Sequence, residues 1–246
     1  MKPSLAVTQP DGSRRYVHPV SGEVVPSVTT VLRCIARPQL DGWAGRMTAK
    51  YASEHWDELD AMDPVQRLEI LKTAHKDERV THTARGTLIH ELCDSWSKGG
   101  NPVILDKSVD GFMTQFFAFL GTVNPSYIES EATVWNREHG YAGTFDAIAM
   151  IDGFVTLIDI KTGRGVYPEY GMQLAALSHG ECIVDDRGNE WNMPKVTRHA
   201  LLHLRPRSWK LVPVRKIEEC YSAFLAARRI FWWNYEVAPS VLGDPR

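Results

Sequence analysis

Residues 143–163 read GTFDAIAMIDGFVTLIDIKTG, two apolar runs joined at Asp152-Gly153. Each run carries an aspartate where a buried strand ordinarily carries an aliphatic residue, and the second adds a lysine two residues later. Side chains alternate along a strand, so Val155, Leu157, Asp159 and Lys161 share one face and Phe154, Thr156, Ile158 and Ile160 the other. Both faces stay apolar until the C-terminal end, where Asp159 and Lys161 emerge together. Asp146 lies on the preceding strand, with Ile148 and Met150 as same-face neighbours. Antiparallel pairing through the Asp152-Gly153 turn brings Asp146 near Asp159, so the two carboxylates can converge. Two unpaired carboxylates at one buried site repel and draw in protons. A divalent cation removes the conflict, and hard oxygen donors select Mg²⁺ or Mn²⁺. The plainer alternative is a salt bridge from Lys161 to Asp146 or Asp159. The D-x-K triplet alone does not decide, since average composition supplies on the order of one by chance in a chain this long.

Two other segments offer polar groups beside apolar stripes. In RGTLIHELCDSW, residues 85–96, Leu88, Ile89, Leu92, Cys93 and Trp96 form one helical arc, and His90 sits at its edge with Gly86 and Asp94. A lone histidine there is more often a boundary residue than a ligand. In YPEYGMQLAALS, residues 167–178, Tyr170 and Gln173 share a helix face with Leu174 and Leu177. A solvent-edge glutamine is the plainer reading on spacing alone.

The elements that would position these groups follow from periodicity and punctuation. A hairpin is expected around Ser21-Gly22, then a helix entry capped by Ser27. Helices are expected over 40–59, 64–79, 83–98 and 112–120. Strands follow at 127–135, 141–151 and 154–160, then a helix over 169–179, a strand pair at 198–204 and 209–214, and a closing helix over 217–235. The order predicts an α/β fold with a short mixed central sheet flanked by helices and an N-terminal helical region. The 246 residues suit one domain, read as a hairpin-and-helix lobe over 1–80 and a core over 81–235.

Composition narrows the class. Hydrophobic residues at 43% and charged residues at 24% describe an ordinary globular chain. No run reaches the ~18 apolar residues of a bilayer span. MKPSLAVTQPDGSRRYVHP has no apolar signal core, so the expected location is the cytoplasm, with no membrane partner. The net charge of −2 argues against a chain coated for nucleic acid, yet residues 195–229 hold nine Lys/Arg and two Glu, which permits a local basic face. The plain reading of that segment is a solvated hairpin and helix, with the paired Trp232 and Trp233 packed. Cysteines 34, 93, 182 and 220 show no C-x-x-C pair, so no iron–sulfur or zinc cluster is expected.

The ordered set G86-x-x-x-H90, Y141-A-G-T-F-D146, D159-I-K161-T-G163 and Y170-G-M-Q173-L resembles the RecB-like branch of the PD-(D/E)xK nuclease superfamily, more closely its phage-type exonucleases akin to the CRISPR-associated RecB-like nucleases. P26-S-V-T-T-V-L32 and L40-x-x-W43 extend the likeness. The resemblance implies a restriction-endonuclease-like core. It implies His90, Asp146, Asp159 and the backbone carbonyl of Ile160 as metal ligands for one or two Mg²⁺ or Mn²⁺ ions, with Lys161 orienting or activating water. Gln173 and Tyr170 would support the site, and Glu129 or Glu131 would approach from the neighbouring strand without being counted as a ligand. It implies a metal-dependent deoxyribonuclease, an exonuclease in phage or mobile-element recombination, replication or repair, acting in the host-cell cytoplasm. Tyr170, Arg205, Arg207 and Lys210 would meet DNA, and a phage recombination or replication protein would be the partner. The branch members with an iron–sulfur cluster carry a C-terminal cysteine triplet, which this chain lacks. The alternatives are a non-catalytic nucleic-acid-binding or scaffold protein on the same fold, or a nuclease for RNA or branched junctions.

Overall fold

A computed structural model of the chain describes residues 5–10, 12–35 and 38–243. It divides into two compact units, one formed by residues 1–35 with 89–246 and the other by 36–88.

In chain order the larger unit begins with strands β1 (Ala6–Thr8), β2 (Arg14–Val17) and β3 (Val24–Pro26), paired antiparallel into a small sheet. The short helix α1 (Val28–Val31) follows, and the Ser27 side chain accepts from the Thr30 amide at 3.0 Å, the cap expected from its position after Pro26. Sequence reasoning grouped this hairpin with the helices that follow it. Instead, Val28, Val31 and Leu32 join the main core of the larger unit.

The smaller unit contains α2 (Pro38–Glu54), α3 (Trp56–Asp60) and the first part of α4 (Pro64–Ser97). The side chain of Leu40 lies outside the described residues. Two helices were expected over 64–98, and α4 is one, because Val80, Thr81 and His82 include neither glycine nor proline and nothing interrupts the backbone ladder. Gly86 therefore sits within a helix rather than at its start. From Ile89 onward α4 belongs to the larger unit.

The main sheet comes next. Helix α5 (Asp110–Val123) leads through Asn124, a left-handed residue at φ 48°, into β4 (Ser126–Asn136), β5 (Tyr141–Ile151) and β6 (Phe154–Lys161). Then come α6 (Glu169–Ser178), β7 (Cys182–Val184), β8 (Glu190–Asn192), β9 (Arg198–Arg205), β10 (Ser208–Pro213) and α7 (Ile217–Trp232). The seven strands lie in the order β10-β9-β6-β5-β4-β7-β8, with β6 and β9 parallel and every other neighbour antiparallel. This is a mixed α/β fold with helices on both faces of a central sheet. A parallel β6–β9 pair needs a crossover between its strands, and α6 lies within it.

Alternation sorts the two faces. Val155 and Leu157 of β6 and Leu201 of β9 pack with Leu174, Leu177 and Phe224 from α6 and α7. Leu202 and Leu204, which alternate with Leu201, are buried on the opposite face. There Phe119 of α5 meets Trp209, the ladder partner of Leu204, edge to face at 5.5 Å. The strand β6 is covered on both sides, as its unbroken apolar run implies.

Candidate metal centre

The β5–β6 ladder pairs Ala147 with Ile158 and continues to Ile151 with Phe154 across the Asp152-Gly153 turn. One step beyond Ala147 and Ile158, the same register sets Asp146 opposite Asp159, in line with the approach that the turn position predicts. The two carboxylates nevertheless have different partners, because the regular pleat of β5 breaks there. Phe145 and Ile148, three residues apart, both pack into the α6-side core, while Asp146 and Ala147 both line a cavity beneath α4. Ile148 is therefore not a same-face neighbour of Asp146, which strict alternation had made it. The distortion coincides with Glu131 on β4, the residue opposite Asp146 in register, whose φ of 47° is in the left-handed region. A β-bulge at Ile128 lies three residues earlier, between the pairs Tyr127–Ala149 and Glu129–Ile148.

Asp146 stands in for the missing ladder. Its Oδ2 accepts from the Ile160 backbone N–H, and its Oδ1 lies 3.1 Å from His90 Nδ1. His90 comes from α4, where residues 90, 93, 94 and 97 fall on one helical face. That face is fixed to β4 by hydroxyls, since Ser97 Oγ donates to Ser130 Oγ at 2.7 Å and Ser130 Oγ donates to Asp94 Oδ1 at 2.7 Å. Lys98 pairs with Asp94 from the next turn. These contacts set the depth at which His90 meets the sheet.

Asp159 and Lys161 face the α6 side. Lys161 Nζ donates to Asp159 Oδ1 at 3.0 Å and to Gln173 Oε1 at 3.1 Å, and it sits 4.6 Å from the centre of the Tyr170 ring. Asp159 Oδ2 is 2.7 Å from the ammonium but receives no directed hydrogen bond, although it is buried. The salt bridge weighed from sequence is thus present, made by Lys161 with Asp159. Gln173 is not a solvent-edge residue, because its carbonyl is engaged by Lys161.

Burial and the neighbouring charges compete at each of these groups. Burial pushes the Asp159 carboxyl up to about 6, with the Asp146 charge adding to the push and Lys161 opposing it. Glu131 is pushed up to about 7 by burial and by Asp146. Burial also acts against the charged form of Asp146, but His90 and Lys161 outweigh it and hold this carboxyl below the usual range. The same pairing raises His90 against the opposing effect of its burial. Lys161 is likewise raised, because Asp159 and Asp146 more than offset desolvation. It is an ammonium at neutral pH in this arrangement, a cation rather than a ready base.

His90, Glu131 and Asp146 each offer one donor atom, and all three atoms lie within 4.8 Å of one another. Between them is a cavity of about 10 Å³, lined also by Cys93, Tyr127 and Ile160 and wide enough for about one small particle. An imidazole with two carboxylates around so small a cavity fits a divalent cation. Sequence reasoning did not count Glu131 as a ligand. The resemblance placed Glu129 or Glu131 near the site, but choosing Glu131 needs the register opposite Asp146, which depends on the bulge at Ile128.

The remaining expected residues are spread around this end of the sheet. Ile160 lines the cavity. Arg205 donates to the carbonyls of Thr162 and Gly163 at 3.0 Å each, tying down the loop after β6, and His203 Nε2 meets the Gly163 carbonyl at 2.8 Å. Arg207 and Lys210 are exposed at the β9–β10 turn and on β10. Trp232 and Trp233 were expected to pack, and both are exposed at the end of α7, with Arg229 4.8 Å from the Trp232 ring.

No family model and no curated protein matches this chain. Among solved structures, a crystal structure of SSO0001 is similar at 15% identity and a TM-score of 0.35, over 83% of this chain and 75% of that one. Among the described residues, no helix is long and apolar enough to cross a membrane.

Proposed function

We propose that this chain is a metal-dependent DNA nuclease of the RecB-like PD-(D/E)xK type, an exonuclease of phage or mobile-element DNA metabolism working in the cytoplasm. One observation carries the reading: the Asp159–Lys161–Gln173 cluster and the His90–Asp146 pair meet at the end of a single strand, with the Ile160 amide bound to Asp146 between them. A structural salt bridge needs only one acid and one base. Here a buried acid, a half-buried acid, a histidine and a lysine converge, and loss of solvent works against the charged form of each.

His90 and Asp146, with Asp159 and the Ile160 carbonyl beside them, would hold Mg²⁺ or Mn²⁺. When bound, the cation supplies Lewis-acid polarisation of a phosphodiester and acidifies a water. The protein's own part is positional. Asp159 and Gln173 fix the Lys161 ammonium, which is suited to hold a phosphate oxygen and the attacking water by charge and hydrogen bonding. Arg205 steadies the adjoining loop, while the exposed Arg207 and Lys210 offer charge to a phosphate backbone.

The deciding assay offers linear single-stranded, linear double-stranded and circular DNA to the chain with Mg²⁺ or Mn²⁺. Cleavage is expected on linear DNA, with loss in EDTA and loss of at least 100-fold in Asp159→Ala and Lys161→Ala that still fold. Full activity in EDTA or in either variant refutes the reading. DNA binding without cleavage in any metal would favour a non-catalytic binding protein, and cleavage of RNA or junctions alone would reassign the substrate.

A further inference from the structure

The expected ligand set leaves Glu131 out, and its geometry argues for including it. Asp146 is opposite Glu131 on one neighbouring strand and Asp159 on the other, so three carboxylates form a row across β4, β5 and β6. They do not share one environment. Asp159 is held by Lys161 on the α6 side, whereas Glu131 and Asp146 line the cavity under His90. The backbone at Glu131 is left-handed, a conformation that costs a non-glycine residue on the order of 1 kcal/mol and is kept where surroundings impose it.

The His90–Asp146 distance suits a shared ion. Two donors on adjacent sites of a six-coordinate cation, each about 2.1 Å from it, stand about 3 Å apart, and donors on opposite sites about 4 Å apart. His90 Nδ1 and Asp146 Oδ1 are separated by 3.1 Å, the spacing of adjacent sites, and a donor oxygen of Glu131 lies within 4.8 Å of a donor on each, within reach of the same ion after a side-chain adjustment. We propose that Glu131 is a direct ligand of the cation, so that the primary site is formed by His90, Glu131 and Asp146 on the α4 side of the sheet. Asp159, already paired with Lys161, then contributes less to holding the cation than Glu131 does. One imidazole among oxygen donors favours Mn²⁺ over Mg²⁺, because nitrogen ligands suit transition metals better than the harder Mg²⁺.

This inference rests on the nuclease reading only for the presence of a cation, and it is tested without DNA. Mn²⁺ binding to the full chain is measured by electron paramagnetic resonance of the free ion and by calorimetry, for the wild type and for Glu131→Gln, Asp146→Asn and Asp159→Asn. Glu131→Gln should weaken Mn²⁺ at least tenfold, comparably to Asp146→Asn, while Asp159→Asn weakens it less. Glu131→Asp, which shortens the side chain but keeps the carboxylate, should retain more affinity than Glu131→Gln and serves if the amide variant does not fold. Wild-type Mn²⁺ affinity in Glu131→Gln, or a larger loss in Asp159→Asn than in Glu131→Gln, overturns the assignment. Failure of the nuclease reading looks different, with Mn²⁺ bound through Glu131 and no DNA cleaved.

Discussion

At the residue scale, the informative feature is the division of labour among the acids. Asp146 is committed twice, to the Ile160 amide and to His90, and so acts as the joint between α4 and the broken edge of the β5–β6 ladder. Asp159 is committed to Lys161, and the Lys161 ammonium is enclosed by Asp159, Gln173 and the face of Tyr170. A cation over an aromatic face is stabilised by about 0.5–2 kcal/mol. Tyr170 is therefore a positioning residue for Lys161. In the DNA-cleavage assay, Tyr170→Phe keeps the ring and should stay within about threefold of wild type, whereas Tyr170→Ala should lower kcat about tenfold with KM little changed. Equal effects of the two substitutions would assign the role to the hydroxyl instead.

At the element scale, the site depends on how closely α6 approaches β5. Gly143 lies three residues before Asp146, and a β-carbon there would stand 2.7 Å from Leu177 Cδ2 and 3.0 Å from Val28 Cγ2. Leu177 is buried in the main core, so it has no room to swing aside. Gly143→Ala should lower stability by about 1–3 kcal/mol, read as a fall in the urea midpoint with unchanged slope. The hairpin of β5 and β6, their register, the crossover helix and the β9–β10 pair were legible because each is long and strongly periodic. β7 and β8, three residues each, were not, since so short a run carries no period. Face assignment on β5 failed at Asp146 for a related reason. Alternation holds only while the pleat is regular, and a left-handed residue on the neighbouring strand is invisible in a list of residue types.

At the scale of the whole molecule, stability should respond to acid through a histidine outside the site. His199, on β9, has its Nε2 buried without a partner, and burial together with the nearby His179 pushes it down to about 4, against a weaker pull upward from Glu218. Its folded value is thus below the ordinary 6.5. Above pH 6.5 both folded and unfolded chains hold it neutral and it adds no pH dependence. Between pH 6.5 and 4 the unfolded chain takes up a proton that the folded chain refuses, so stability falls with pH across that window. With solvent screening allowed for, the loss by pH 5 is about 1–2 kcal/mol. His199→Gln should flatten this part of the profile, measured as the difference between urea midpoints at pH 7 and pH 5. An unchanged profile would assign the acid sensitivity to other groups.

The sequence by itself determined the α/β character, the central hairpin, the approach of Asp146 to Asp159 and the emergence of Asp159 with Lys161 at a strand end. All of these follow from local periodicity and one turn. Only the tertiary structure decided which side of the sheet each acid serves, that Glu131 shares a cavity with His90, and that Gln173 holds Lys161. Those relations depend on a bulge, a left-handed backbone residue and helices docked from distant parts of the chain. Their positions are fixed by packing between elements, and no single segment encodes them.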